Sequence, residues 1–238
     1  MSECVSNHLD QPIGIAMPRW QAVSVPNAML LEGDYVRLER IDPAAHGDDL
    51  YAAYAIDTDL RMWTYLSVGP FNERVAFQQW LQEVAQMNDP YFFTVVDKRT
   101  GKALGVLSLL RIDTRHGVAE IGYVIFSPQL QRTRQSTEAY HLVLSYLFDE
   151  LKYRRCEWKC DSLNHPSRNA AERLGFEHEG TFRQAIVYKG RNRDTAWHSL
   201  LDRDWPTHRL AQQRWLASAN FDEGGQQIAR LSELYASV

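Results

Sequence analysis

The sequence is poor in cysteine. Cys4, Cys156 and Cys160 are the only three in 238 residues, an odd and sparse set that argues against a disulfide framework. Cys156 and Cys160 fall in the strand-like stretch "RRCEWKCD", where positions 156, 158 and 160 share one face. No second pair of Cys or His follows at zinc-ligand spacing, so buried thiols are a better reading than a metal pair. Long apolar runs are missing too. None approaches the roughly 20 residues that span a bilayer. The opening "MSECVSNHLDQP" lacks the basic segment and apolar run of a secretory signal. The expectation is a soluble, cytoplasmic protein with no membrane partner. Nor is there an excess of positive charge: 26 Lys and Arg stand against 30 Asp and Glu, a net of -4. That excludes a chain-wide footprint for nucleic acid. The local basic stretches "KGRNR" (189–193) and "YRR" (153–155) read as solvated faces. No internal repeat or low-complexity segment occurs.

What is present is ordinary globular material, 45% hydrophobic and 24% charged. The length suits one sizeable domain with extensions, or at most two small ones. Residues 1 to about 30 carry Pro12, Pro18 and Pro26 without periodicity, as an extension draped over the surface or a mobile arm would. "DYVRLERI" (34–41) alternates as a strand does. Helices follow over 44–57 and 72–87, the second with Asn72 as candidate N-cap. "YFFTVVD" (91–97), "KRTG" (98–101) and "ALGVLSLLRI" (103–112) form a hairpin pattern, and "GVAEIGYVIF" (117–126) is a further strand. From Ser136 to Leu151, Ala139, Leu142, Val143, Tyr146 and Leu147 mark the buried stripe of a helix. A strand (154–161), a short helix (165–176) with Pro166 and Gly175 at its ends, and two strands around Gly190 complete the core. This order predicts a mixed α/β or α+β domain with a mostly antiparallel sheet, not a doubly wound fold.

One junction stands out. "SPQLQRTRQSTEAYHLVL" (127–144) leaves a strand and enters a strong helix. A helix start offers unpaired N–H groups and a positive dipole end, suited to phosphate. Loops that wrap a phosphate usually contain glycine. This one has none, and carries Arg132 and Arg134. Their guanidinium groups suit phosphate; an exposed basic loop is the plain alternative.

Several stretches together resemble the GNAT superfamily of acyl-CoA-dependent N-acyltransferases, and more closely its ribosomal-protein-alanine N-acetyltransferase branch. They are "AEIGYVIFSP" (119–128), "STEAYHLVLSYLFDEL" (136–151), "CDSLNHPSRNAAERLGFEHEGTFRQ" (160–184) and "GRNRDTAWHSLL" (190–201). None is decisive alone; their order and spacing make the case. The family's loop signature is Gln or Arg, two residues, Gly, one residue, then Gly or Ala. Gln131 fits, Arg134 stands in the glycine's place, and Ser136 replaces the last small residue. The resemblance divides the chain into an extension (1–30), an acetyltransferase domain (31–206) and a helical tail (207–238).

It also implies chemistry. Acetyl-CoA would be the co-substrate, with no metal. Backbone N–H groups of Gln131, Arg132, Thr133, Arg134, Gln135 and Ser136 would ring the pyrophosphate, and Asn164 would bond the pantetheine arm. A splayed fourth strand would free an N–H between Val124 and Phe126 for the thioester oxygen. Two carboxylates compete as base: Glu120 on that strand and Glu179 in "GFEHEG", with Glu179 slightly preferred. The family's frequent acid, a Tyr in the helix after Asn164, is Ala171 here. Ser167 matches the serine given that role in the ribosomal-protein branch and would stabilise or relay; a first-turn helix serine is the equal alternative. Trp63 and Tyr65, in "RMWTYLSVGPF" (61–71), would line the acceptor wall, or else pack in the core. The acceptor would be a primary amine, on a protein N-terminus or a small molecule. A homodimer is common among such proteins. The alternative function is a GNAT-fold module that binds or senses without efficient turnover.

Overall fold

The computed structural model describes residues 4–236. Strands β1 (Cys4–Ser6) and β2 (Pro12–Gly14) pair as an exposed hairpin. The sheet and its helices follow as β3 (Leu30–Glu32), β4 (Val36–Arg40), α1 (Pro43–Tyr54), α2 (Arg74–Ala85), β5 (Tyr91–Asp97), β6 (Ala103–Asp113), β7 (Val118–Phe126) and α3 (Arg134–Ser145). Then come β8 (Arg155–Asp161), α4 (His165–Arg173), β9 (Glu177–Tyr188), β10 (Arg191–Leu201), α5 (Trp205–Leu216) and α6 (Leu231–Tyr235). Eight strands form one sheet in the order β3-β4-β5-β6-β7-β8-β10-β9. All its pairings are antiparallel except β7–β8. The mostly antiparallel mixed sheet read from the sequence is therefore the one observed.

Helices cover both faces. On one, α3 packs over Phe93, Val95, Leu107, Leu109, Ala119 and Ile121, and both Cys156 and Cys160 lie in this core. On the other, α1 and α2 pack with Trp63 over Phe92, Val96, Val106 and Ile125. Strand β5 is buried on both faces, which explains its unbroken apolar run. Helix α1 starts where Asp42 accepts a hydrogen bond from the Ala44 N–H at 2.8 Å, with Pro43 in its first turn.

Three expectations need correction. Asn72 does not cap α2: Glu73 takes the N-cap position and makes no side-chain bond there. Helix α3 begins at Arg134, two residues before the expected start, because Thr133 caps it. Residues 1–30 are not wholly irregular among those described. β1 and β2 lie there and β3 begins at Leu30, each three residues long and too short to show alternation.

The stretch from Trp20 onward is tied down. The Trp20 indole donates to Arg115 O at 2.9 Å, and the Tyr146 hydroxyl accepts from the N–H groups of Asn27 and Ala28 at 2.8 and 3.0 Å. At the other end, Ala211, Trp215, Leu216 and Leu231 form a small core joining α5 to α6. Among the described residues, no helix is long and apolar enough to cross a membrane.

Candidate active site

The parallel pair β7–β8 is short. Only Val118–Ile121 pair with Arg155–Trp158. From Gly122 to Phe126, β7 pairs with β6 alone, while Lys159 to Asp161 of β8 pair with β10 alone. The strands have parted, and one backbone edge of β7 faces a gap. A bulge marks the parting: Tyr123 and Val124 stand opposite Leu107, between the Gly122–Ser108 and Ile125–Val106 pairs. Tyr123 has φ +46°, a left-handed conformation unusual for a side-chain-bearing residue. Val124 and Phe126 both pack toward the α3-side core. On that side the Tyr140 ring sits between those of Phe126 and Trp158, with centroids 5.4 Å from each.

The glycine-free loop closes one end of the gap. The Gln131 side-chain amide donates to Phe126 O at 2.7 Å, tying loop to strand. The Gln131 N–H is spent on Ser127 O. Thr133 and Ser136 form a reciprocal capping box: the Ser136 N–H donates to Thr133 Oγ1 at 3.1 Å, and the Thr133 N–H donates to Ser136 Oγ at 3.2 Å. The N–H groups of Arg132, Arg134 and Gln135 have no partner among the described residues. The left-handed residue of this loop is Arg132, with φ +60°. Arg134 and Ser136 are helical, so neither position demands glycine for its backbone. Their side chains also turn away from a would-be anion. The Ser136 hydroxyl is in the box, and the Arg134 guanidinium lies between the rings of Tyr35 and Phe221, at 4.0 and 4.1 Å. Arg132 is exposed.

Deeper in α3, Glu138 is buried and accepts three backbone N–H bonds, from Asp34 (2.8 Å), Tyr35 (2.7 Å) and Val36 (2.7 Å). A Cβ on Gly33 would lie 2.5 Å from its carboxyl carbon. This clasp fixes the start of α3 against the β3–β4 turn.

On the sheet face opposite α3, the strands carry charge. Glu120 faces away from Ala119 and Ile121 by strand alternation, and stands opposite Glu157 across the β7–β8 pair. Lys159 Nζ lies 2.9 Å from Glu120 Oε2 and 2.6 Å from Glu157 Oε2. Arg155 Nε donates to Glu157 Oε1 at 2.8 Å, and its two Nη groups grip Glu179 at 2.8 and 2.5 Å. Ser199 Oγ also donates to Glu179, at 2.8 Å. The two candidate bases therefore belong to one charged ladder but differ in state. Burial raises the pKa of Glu120 despite Lys159 and Arg111. Arg155 lowers that of Glu179.

On this face, hydrogen bonds tie residues 63–65 to the loop after β8 and to the β9–β10 turn. Tyr65 donates its hydroxyl to Leu163 O at 3.1 Å, and Lys189 Nζ donates to Trp63 O at 2.8 Å. The Tyr188 hydroxyl donates to Asp161 Oδ2 at 2.9 Å; burial, then Asp161, pushes its pKa up to about 12. Asn164 caps α4, accepting from the Ser167 N–H at 3.2 Å. Ser167 Oγ accepts from the Trp158 indole at 3.0 Å.

Residues 36–177 match the family model described as "Acetyltransferase (GNAT) domain". The chain belongs to the GNAT family. It is similar to a GCN5-related N-acetyltransferase from Brucella melitensis, 45% identical, covering 92% of this chain and all of that one at a TM-score of 0.91. A GNAT-family structure from Chromobacterium violaceum is 41% identical, covering 82% and 98% of the two chains at a TM-score of 0.76. YdaF of Bacillus subtilis, provisionally named a ribosomal N-acetyltransferase, is 28% identical over 61% of this chain and 80% of its own. The protein is thus an acetyltransferase.

In this GNAT protein the sequence-derived residues fall into groups. Val124, Phe126, Gln131, Arg132, Thr133, Gln135, Ser136, Asn164 and Ser167 lie on β7, the loop after it, the first turn of α3 and the start of α4. Of the six N–H groups expected to ring a pyrophosphate, those of Gln131, Thr133 and Ser136 are instead spent on Ser127 O and on the capping box. Glu120 and Glu179 lie on the opposite face. Arg134 departs from its expected side-chain role, because its guanidinium is engaged with Leu216 O and the Tyr35 and Phe221 rings, while its N–H stays free among the described residues. Trp63 departs as well: it is buried against Tyr54 and Phe71, in the core rather than on an acceptor wall. Tyr65 is half-buried, with its hydroxyl on Leu163 O. Sequence reasoning missed Glu138, Tyr140, Lys159, Asp161 and Tyr188. Lys159 carried a usable signal, since it alternates with Cys160 and Trp158 and so shares the face of Glu157.

Proposed function

We propose that this acetyltransferase moves the acetyl group of acetyl-CoA directly to a primary amine, on a protein N-terminus or a small molecule. The observation that carries the reading is the unpaired edge of β7 beside three free N–H groups at the start of α3. The free groups of Arg132, Arg134 and Gln135, at the positive end of α3, suit a pyrophosphate. An N–H on the open edge of β7 suits the thioester oxygen. Glu120 is the proton acceptor: burial raises its pKa, so it holds a proton more readily than Glu179, whose charge Arg155 stabilises. The amine nitrogen attacks the thioester carbon and the C–S bond breaks. Glu120 takes the amine's proton directly or through water, and the leaving thiolate is protonated. Ser167, whose oxygen accepts from the Trp158 indole, relays that last proton.

The name of YdaF, a ribosomal N-acetyltransferase, supports a macromolecular acceptor as one class. The family membership speaks against a module that binds without turnover. The test is a screen of primary amines and N-terminal peptides that follows thiol release from acetyl-CoA, paired with calorimetric titration of the donor. A micromolar Kd and amine-dependent release are expected. No binding at millimolar acetyl-CoA would overturn the reading.

A further inference from the structure

We propose that Lys159 is a positioning residue for Glu120, holding its carboxylate charged and oriented at the point where β7 and β8 part. The inference rests on the reading of Glu120 as base and adds the residue that makes it usable.

Lys159 is the first β8 residue beyond the last β7–β8 pair, Ile121–Trp158. Its side chain is only 6% exposed. Three groups hold its ammonium: Glu120 at 2.9 Å, Glu157 at 2.6 Å and the Trp197 ring, whose centroid is 4.0 Å from Nζ. Trp197 is the cross-strand partner of Lys159 and stacks on Phe182, at 4.5 Å between centroids, so the ring is fixed from behind. An ammonium in this cage has little freedom.

The charges around it balance by position. Glu157 does not need Lys159 alone, because Arg155 Nε also binds it at 2.8 Å. Glu179 is satisfied by Arg155 and Ser199. Glu120 has no such alternative. Its other cation, Arg111 on β6, lies 3.5 Å away on a side chain 61% exposed. Solvent screens that contact, while the Lys159 contact is shielded. Glu157, directly opposite, pushes the other way. Glu120 is 6% exposed, and a carboxylate buried beside another carboxylate tends to keep its proton. Lys159 counters both effects. It is therefore the group that leaves Glu120 able to accept a proton from an amine near neutral pH. The consequence for specificity is that the site already holds one cation between its two carboxylates, so the acceptor amine meets Glu120 rather than a free acidic pair.

The test follows the Glu120 carboxyl by carbon NMR in the full chain labelled at glutamate Cδ, without acetyl-CoA, with the resonance assigned by its loss in Glu120→Gln. In Lys159→Met the Glu120 titration moves up by about one pH unit or more, and in Lys159→Arg it returns most of the way. An unmoved titration in a folded Lys159→Met chain overturns the proposal. Kinetics separate the underlying reading, with an alanine-initiated hexapeptide and acetyl-CoA as the probe pair. Loss of the acidic limb of kcat/KM in Glu120→Gln, and its displacement to higher pH in Lys159→Met, are expected. An acidic limb that persists unchanged in Glu120→Gln sinks Glu120 as the base, whatever the NMR titration shows.

Discussion

The Arg134 guanidinium donates to the carbonyl of Leu216, 82 residues further along the chain, from Nη2 and from Nε at 3.0 Å. The residue standing in the family's glycine position thus anchors the C-terminal tail to the first turn of α3. This resolves the two arginines into different jobs. Arg134→Ala removes a charge-assisted bond and contacts to two rings, at a cost of about 2 kcal/mol. A thermal melt should show a loss of about 4–8 °C. Arg132→Ala, at an exposed side chain, should leave the melt unchanged and weaken acetyl-CoA binding by calorimetry. Equal melts for the two variants would show that the Leu216 contact contributes nothing.

The two carboxylates should also separate. Glu120→Gln is expected to lower turnover by about 10²–10⁴-fold, the usual worth of a general base. Glu179→Gln should cost turnover much less. Glu179 is exposed in its pair with Arg155, so the stability loss should not exceed about 1 kcal/mol. Thiol-release assays on both variants decide the order, and a larger loss in Glu179→Gln would return the base to β9.

Fold was legible because each element left a local pattern: alternation in 34–41, the α3 stripe, and the Pro166 and Gly175 punctuation of α4. For the candidate site, the family resemblance pointed to Gln131, Asn164 and Ser167, which lie in the loop after β7 and at the start of α4. The rest depends on pairings between distant strands. Lys159 meets Glu120 only because β7 and β8 run parallel and part after Ile121, and no local spacing encodes that. Arg134 looked like a phosphate ligand because its partner, a backbone carbonyl at residue 216, has no side-chain signature. For Trp63 the sequence left wall and core equally open, because aromatic content does not reveal which way a turn folds.

Ser167 carries two roles that can be pulled apart. Its hydroxyl oxygen accepts from the Trp158 indole, and Trp158 is 4% exposed. Ser167→Ala leaves that buried N–H unpaired, at a cost of about 1–3 kcal/mol. In a Trp158→Phe background no donor is orphaned, so the same Ser167→Ala change should cost less stability than in the parent, whatever the packing cost of Trp158→Phe itself. A relay of the proton to the thiolate by Ser167 predicts that Ser167→Ala lowers turnover equally in both backgrounds. A turnover loss that shrinks together with the stability loss would leave Ser167 only as the partner of the Trp158 indole.

Acid should weaken the fold through His198. It is fully buried on β10, with His178 of β9 at 5.1 Å between ring centroids. Burial, then His178, lowers its pKa; Arg168 of α4 acts in the same sense and Glu172 opposes it. Above about pH 6.5 both the folded and unfolded chains carry this imidazole neutral, and its full contribution is present. As pH falls below that value the unfolded chain takes the proton first, so stability is lost until the folded-state pKa is passed. One proton contributes at most about 1.4 kcal/mol per pH unit of slope. Burial also lowers His141 and His208, so the parent's melt alone does not isolate the effect. The difference between parent and His198→Leu does. The variant should match the parent at pH 8 to within a packing offset, and its melting temperature should fall less steeply between pH 6.5 and 5. Parallel curves over that range would show that His198 takes up no proton on unfolding and that the acid sensitivity belongs to other groups.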